Sequence, residues 1–188
     1  MNRAVVREHG FTLIELMVTL VVAGILLALG IPSLTRLISN NRIAQQTNEF
    51  VNALNLARSE AVKRSQGVAI RSTSAGLGIE FATGWQVFND PNADGALASA
   101  ADVIRESGGL SGKTTLRRVT CVGSVCTDAD ASMTDRQYIV FTARGGNGAG
   151  TAAWFRACDA GNTSLPGRIV QVSSVGRVSL SSSTATCP

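Results

Sequence analysis

Residues 11–31, from Phe11 to Ile31, are an apolar run whose only charge is Glu15. As a helix this stretch reaches roughly 31 Å, about one thickness of bilayer hydrocarbon. No other feature restricts the fold so strongly, because a run of this length has to be shielded from water by lipid or by other apolar helices. A carboxylate in such surroundings is costly and rare, which marks Glu15 as functional by default.

The flanks leave three readings. Arg3 and Arg7 precede the run, and Ala28-Leu29-Gly30 offers small residues near its end, the pattern of a secretory signal peptide. That reading needs an unusually long apolar core containing an acid. A plain membrane anchor suits the length but leaves Glu15 unexplained. The third reading has to explain Glu15, and it rests on residues 10–16. Pro32 follows the run and is predicted to kink or end this first helical section, since it has no backbone N–H.

Past Pro32 the period stays helical but the character changes. Ile43, Phe50, Leu54, Ala57 and Ala61 form one apolar face of a helix predicted from about Asn41 to Ser65, with Arg42, Glu49, Arg58, Glu60, Lys63 and Arg64 around the rest. Lys63 and Arg64 suit its C-terminus, and Gly67 suits its stop. After Gly67 short runs bounded by Gly and Ser take over: GVAIRS, GLGIEF, GWQVFND, DVIRES, TLRRVTCV, QYIVFTA, AAWFRAC, GRIVQVSS and GRVSLSS. They read as antiparallel strands, so the fold class is α+β, one long helix packed on antiparallel sheet.

All four cysteines, Cys121, Cys126, Cys158 and Cys187, fall in this β-rich half, without zinc-ribbon spacing. If that half is exported, two disulfides are expected. Spacing favours Cys121–Cys126, a small local loop, and Cys158–Cys187, a tether for the C-terminus. The other two connectivities and free thiols stay open.

The residues Gly10-Phe11-Thr12-Leu13-Ile14-Glu15-Leu16 resemble the class III signal of type IV prepilins and pseudopilins: a short charged leader, a Gly–Phe junction and an acid five residues into an apolar helix. The resemblance implies cleavage between Gly10 and Phe11 by a prepilin peptidase, N-methylation of Phe11, and an assembly role for Glu15. It divides the chain into a leader (1–10), a transmembrane helix (11–31), an amphipathic continuation of the stem (32–66) and a globular β-rich domain (67–188). The implied setting is the inner membrane, with the domain on the periplasmic side and other pilins or pseudopilins as partners. Further residues resemble the GspH/FimT family of pseudopilins and minor pilins: Ala57-Arg58-Ser59-Glu60-Ala61, Gly84-Trp85-Gln86-Val87-Phe88 with the Asp90–Gly95 turn, Ile139-Val140-Phe141, Gly167-Arg168-Ile169-Val170 and Gly176-Arg177-Val178. That likeness implies a low-abundance subunit near a filament tip, with two small sheets over the helix. The filament is either a type II secretion pseudopilus or a type IV pilus.

Two stretches invite ligand readings. Asp90-Pro91-Asn92-Ala93-Asp94-Gly95 has the first half of a calcium loop, but position twelve is Ala101, beside Asp102. The same residues make ordinary turns. Arg168 and Arg177 flank a hairpin in a basic C-terminal region that also holds Arg144 and Arg156. Some FimT-type pilins bind DNA through a Gly-Arg-x-Arg motif there; Gly176-Arg177-Val178-Ser179 keeps the first arginine and lacks the second. Arginines at phosphates would give weak, salt-sensitive, sequence-independent binding of DNA. The alternative is that these arginines simply solvate the hairpin. The sole histidine, His9, lies in the leader, and no phosphate-loop or dinucleotide fingerprint occurs, so the sequence points away from an enzyme and calls for no cofactor or metal.

Overall fold

The computed structural model describes residues 11–74, 80–122, 125–128, 138–161, 165–185 and 187. One helix, α1, runs from Leu13 to Arg64. Its backbone stays helical through Pro32, so the helix does not end there. A proline costs its helix one hydrogen bond and crowds one carbonyl, which need not end a long helix.

Contacts divide the chain into Met1–Ser39 and Asn40–Pro188. In the first unit the described side chains are almost all exposed, including Phe11, Leu13 and Leu29. An apolar window of mean hydropathy 2.5 makes this helix long and apolar enough to cross a membrane.

In the second unit the stripe read from the sequence is the buried face. Ile43, Phe50, Leu54, Ala57 and Ala61 are all within 1% of full burial, and Gln46, Thr47 and Ala53 complete it. The two polar members bond without breaking the stripe: Thr47 Oγ1 donates to the Ile43 carbonyl at 2.6 Å, and Gln46 Nε2 donates to Ser111 Oγ at 2.7 Å, while Gln46 Oε1 is buried without a partner.

Among the described residues nine strands follow: β1 (Val68–Ser72), β2 (Trp85–Asn89), β3 (Val103–Ser107), β4 (Thr114–Val122), β5 (Val125–Asp128), β6 (Tyr138–Phe141), β7 (Ala153–Asp159), β8 (Gly167–Val172) and β9 (Val178–Ala185). They form a four-stranded sheet, β3-β2-β1-β6, and a five-stranded sheet, β5-β4-β7-β8-β9. Every pairing is antiparallel. The expected α+β architecture, a long helix on antiparallel sheet, is what the chain adopts. Strand β5 was not foreseen: four residues, two of them polar, carry too little alternation to read. It exists because Cys121 and Cys126 face each other across its hairpin with β4. The GLGIEF run lies mostly outside the described residues, and Glu80 forms an isolated bridge to Arg117.

Both sheets share the helix through one aromatic cluster. The Phe50 ring lies 5.4 Å from Phe81, 5.1 Å from Trp85 of the first sheet and 4.9 Å from Phe155 of the second, all tilted or edge-on. Burying such a side chain is worth about 1.5–3 kcal/mol, and each aromatic pair adds about 0.5–1.5 kcal/mol. The β1–β2 connection is also bound to the second sheet: Phe81 N donates to the Leu116 carbonyl at 2.7 Å, and Arg117 Nε pairs with the Glu80 carboxylate at 2.6 Å.

The helix stop differs from expectation. Ser65 has φ 54°, Ser65 N donates to the Val62 carbonyl at 3.3 Å, and Gln66 N reaches the Ala61 carbonyl at 3.2 Å. This is a Schellman cap with serine, not glycine, in the left-handed position. Gly67 serves another purpose, since a β-carbon there would meet the Asp90 carbonyl oxygen at 2.1 Å. An L-residue in the left-handed region costs about 1–2 kcal/mol, part of which is returned by its lower unfolded-state entropy. Ser65→Gly is therefore expected to stabilise the fold by about 0.5–1 kcal/mol, read as a higher denaturation midpoint at unchanged slope.

Candidate assembly site and cationic turns

The start of α1 is closed by Thr12 and Glu15. Glu15 N donates to Thr12 Oγ1 at 3.3 Å, while Thr12 N and Thr12 Oγ1 both donate to Glu15 Oε2 at 3.4 Å. This reciprocal arrangement is a capping box, threonine at the N-cap and glutamate three residues on. It was missed in the sequence, although the Thr-x-x-Glu signal stands at residues 12–15. The carboxylate thus sits at the positive end of the helix dipole, one residue from Phe11 N. Phe11 itself is 84% exposed. Gly10 lies outside the described residues.

The cysteines are joined as Cys121–Cys126 and Cys158–Cys187. A β-carbon at Gly167 would meet Cys187 Sγ at 2.9 Å and Cys158 Sγ at 3.0 Å, so the glycine of Gly167-Arg168 is the seat of the second disulfide.

The hairpin containing Arg168 and Arg177 has its arms at β8 and β9, but its two arginines do not meet. Arg168 sits near the start of β8, opposite Ala157, whereas Arg177 lies just beyond the 173–176 turn at the other end. The strand between them spans roughly 13 Å. Both are exposed. Arg156, which the sequence placed in the same basic region, is 7% exposed and donates to the Cys126 carbonyl at 3.3 Å. It faces Arg117 across β4 and β7.

The turn before Arg177 instead packs against the turn that holds Arg144. Gly176 has φ 76°, and a β-carbon there would lie 1.8 Å from the Gly145 carbonyl oxygen. Only glycine allows the two turns to abut so closely. Asn147 N donates to the Ser174 carbonyl at 3.0 Å, which ties the turns together. Arg58 of α1 then fastens both to the helix: Nε donates to the Gly145 carbonyl at 3.0 Å and Nη2 to the Val175 carbonyl at 3.4 Å. Two residues further along the helix, Glu60 takes a 2.7 Å hydrogen bond from Arg64 and lies 3.6 Å from Lys63. The hydrogen bond from Arg64 holds the Glu60 carboxyl below its ordinary range.

In the Asp90–Gly95 stretch the carboxylates face inward to the chain. Asp90 is 1% exposed and accepts from Gly95 N at 2.9 Å and Asp94 N at 3.3 Å; Asp94 accepts from Asn92 Nδ2 at 3.0 Å and Ala96 N at 2.8 Å. These bonds are those of an Asx-rich turn. Among the described residues no cluster of three or more His, Cys, Asp and Glu side chains is grouped as a metal site would need.

An apolar, acid-bearing stem followed by a two-sheet head on the same helix defines the class of pilin-like subunits. The chain belongs to the GspH family: the family model described as Type II transport protein GspH matches residues 46–176, well over half its length. The model of the prokaryotic N-terminal methylation motif matches residues 6–31. Among solved structures, the type IV minor pilin FimU of Pseudomonas aeruginosa is similar at 22% identity and TM-score 0.59, covering 79% of this chain and 94% of that one. The minor pseudopilin EpsH of the Vibrio cholerae Type 2 Secretion System is similar at 12% identity and TM-score 0.50, covering 74% and 96% respectively. At these identities the likeness shows the fold. No curated protein sequence matches the chain. The family is one of structural subunits, minor pilins and pseudopilins, rather than enzymes.

Arg58 is the side chain that joins helix and turns. Arg58→Met keeps the aliphatic packing but leaves the buried Gly145 carbonyl without this donor, at a cost of about 1–3 kcal/mol. Hydrogen exchange should quicken at residues 142–147 and 173–177 before the rest of the domain. Uniform acceleration across all strands would show that Arg58 stabilises only globally.

Proposed function

We propose that this chain is a minor pilin or pseudopilin that assembles through its N-terminal helix into the tip of a type II secretion pseudopilus or type IV pilus, supporting protein secretion or pilus biogenesis. One observation carries the reading: a methylation-type segment at 6–31 heads a helix whose apolar first half is exposed and whose second half is the floor of a GspH-type head. A stem of that kind needs lipid before assembly and other stems after it.

In this reading a prepilin peptidase cuts between Gly10 and Phe11 in the inner membrane, with the head on the periplasmic side, and Phe11 is methylated. The Phe11 ammonium and the Glu15 carboxylate are each expensive alone in an apolar medium and much less so together. Glu15, already turned toward residue 12 by the capping box, has two acceptor oxygens and can keep Thr12 while receiving a neighbour's ammonium. It sets register between subunits and performs no chemistry.

A DNA-binding minor pilin acting in DNA uptake is the second reading. Arg168 and Arg177 stand at opposite ends of their hairpin and could not grip one phosphate together, which favours the structural role.

Glu15→Gln separates capping from charge. The amide oxygen still accepts at the N-cap, so helix content should be unchanged. The ammonium of a neighbour, however, loses its counter-charge in an apolar core, a penalty of about 3–5 kcal/mol. Incorporation into sheared filaments should fall by at least roughly tenfold. Wild-type incorporation of Glu15→Gln would sink the assembly role of the charge.

A further inference from the structure

The end of the head where α1 stops has a surface that the stem's assembly chemistry does not use. Two turns meet there, 142–145 after β6 and 173–176 between β8 and β9. Each is closed by its own hydrogen bond, Gly145 N to the Thr142 carbonyl at 2.7 Å and Gly176 N to the Ser173 carbonyl at 2.9 Å. With Arg58 bonded to both, the surface is fixed in place before any partner arrives.

Its composition is unusual for a solvated edge. Val175 is 68% exposed at the tip of one turn, and Val62 is 51% exposed on the helix beside the other, its Cγ2 lying 3.0 Å from where a β-carbon at Gly145 would stand. Arg144 and Arg177, both exposed, flank the abutting glycines. Among the described residues neither has an acidic partner. The nearby acid, Glu60, is engaged by Arg64 and Lys63. Two exposed aliphatic groups thus share this surface with two cations that no acid among the described residues pairs with.

We propose that this surface receives an acidic segment of a neighbouring filament subunit, one carrying an aliphatic side chain between carboxylates. The inference rests on the filament-subunit reading. Charge complementarity selects an anionic occupant, and arginine beside exposed aliphatic groups is the chemistry of protein interfaces, where a desolvated apolar centre is ringed by polar contacts. A nucleic acid would use the arginines but gain little from Val175 and Val62. The turns, Thr142-Ala143-Arg144-Gly145 and Ser173-Ser174-Val175-Gly176, also offer no aromatic ring on which a base could stack. Carboxylates placed at Arg144 and Arg177 would fix the register of the segment and speed its capture, and the aliphatic contact would slow its release.

The test uses the full chain in detergent micelles, with valine methyl groups labelled for NMR. The probes are a blocked peptide alternating glutamate and leucine, a glutamate–serine peptide, a lysine–leucine peptide, and a short DNA duplex. The glutamate–leucine peptide is expected to shift the Val175 and Val62 methyl signals, more weakly as salt rises. Its affinity should fall several-fold in the exposed double variant Arg144→Ala/Arg177→Ala and also in Val175→Ser, with the other two peptides binding far less. No shift at these methyls, equal binding of the glutamate–serine peptide, or indifference to Val175→Ser overturns the proposal. Duplex binding that needs both arginines and ignores Val175→Ser overturns it in favour of nucleic acid. The filament reading is scored separately by incorporation of the unaltered chain into filaments. A chain that incorporates yet ignores the acidic peptide sinks this inference alone; one that binds the peptide but never incorporates removes the neighbouring subunit as its source.

Discussion

Phe50 is the contact on which the head depends. It projects from the stem helix into Phe81, Trp85 and Phe155, and so meets both sheets at one point. The main core is shared: the four-stranded sheet gives it Val68, Ile70, Trp85 and Val87, the five-stranded sheet Leu116, Phe155 and Val170, and all of them belong to one cluster with the helix, while Ala69, Phe88 and Val140 form a smaller cluster on the other face of the first sheet. The helix is therefore not an attachment to the head but its floor. Whatever moves or pulls the stem acts directly on the core of the domain.

Two arginines hold that floor at its ends. Arg42 pairs with Asp159 at 3.0 Å, and the Asp159 side chain is 3% exposed. Arg58 reaches the carbonyls of Gly145 and Val175. The two lie sixteen residues apart, about 24 Å along a helix. A buried carboxylate that loses its cation costs about 3–5 kcal/mol, so the Arg42 pair resists any slip of helix against sheet. Arg58 does the same where the two turns meet, and in doing so presents Val175 and Arg177 at the far end. The same side chain thus serves stability and the shape of an outward surface.

Much of this was legible in the residues. The lone acid in an apolar run, the stripe from Ile43 to Ala61 and the change of period after Gly67 announce stem, floor and sheets, because each is a pattern set by burial. What was not legible depends on events that leave no periodic trace. Strand β5 is too short to alternate and rests on the Cys121–Cys126 hairpin. Ser65 in the left-handed position is dictated by the turn toward Asp90, not by its own preference. Arg168 and Arg177 look paired in sequence, nine residues apart, yet a hairpin with its turn at 173–176 sends them to opposite ends. The turn before Arg177 then abuts the turn that holds Arg144, thirty-three positions away. The Thr12–Glu15 capping box was readable and was overshadowed by the cost of the charge.

Glu15 ties the two halves of the account together, as the cap of its own helix and the proposed counter-charge of the next. The most direct test is a solid-state NMR distance, in assembled filaments, between the Glu15 carboxyl carbon and the Phe11 nitrogen, with the two labels on different subunits. A contact of ion-pair length is expected, with carboxylate oxygen and nitrogen within about 4 Å. A Glu15 carboxylate that remains on Thr12 with every Phe11 ammonium of its neighbours well beyond that range would contradict it.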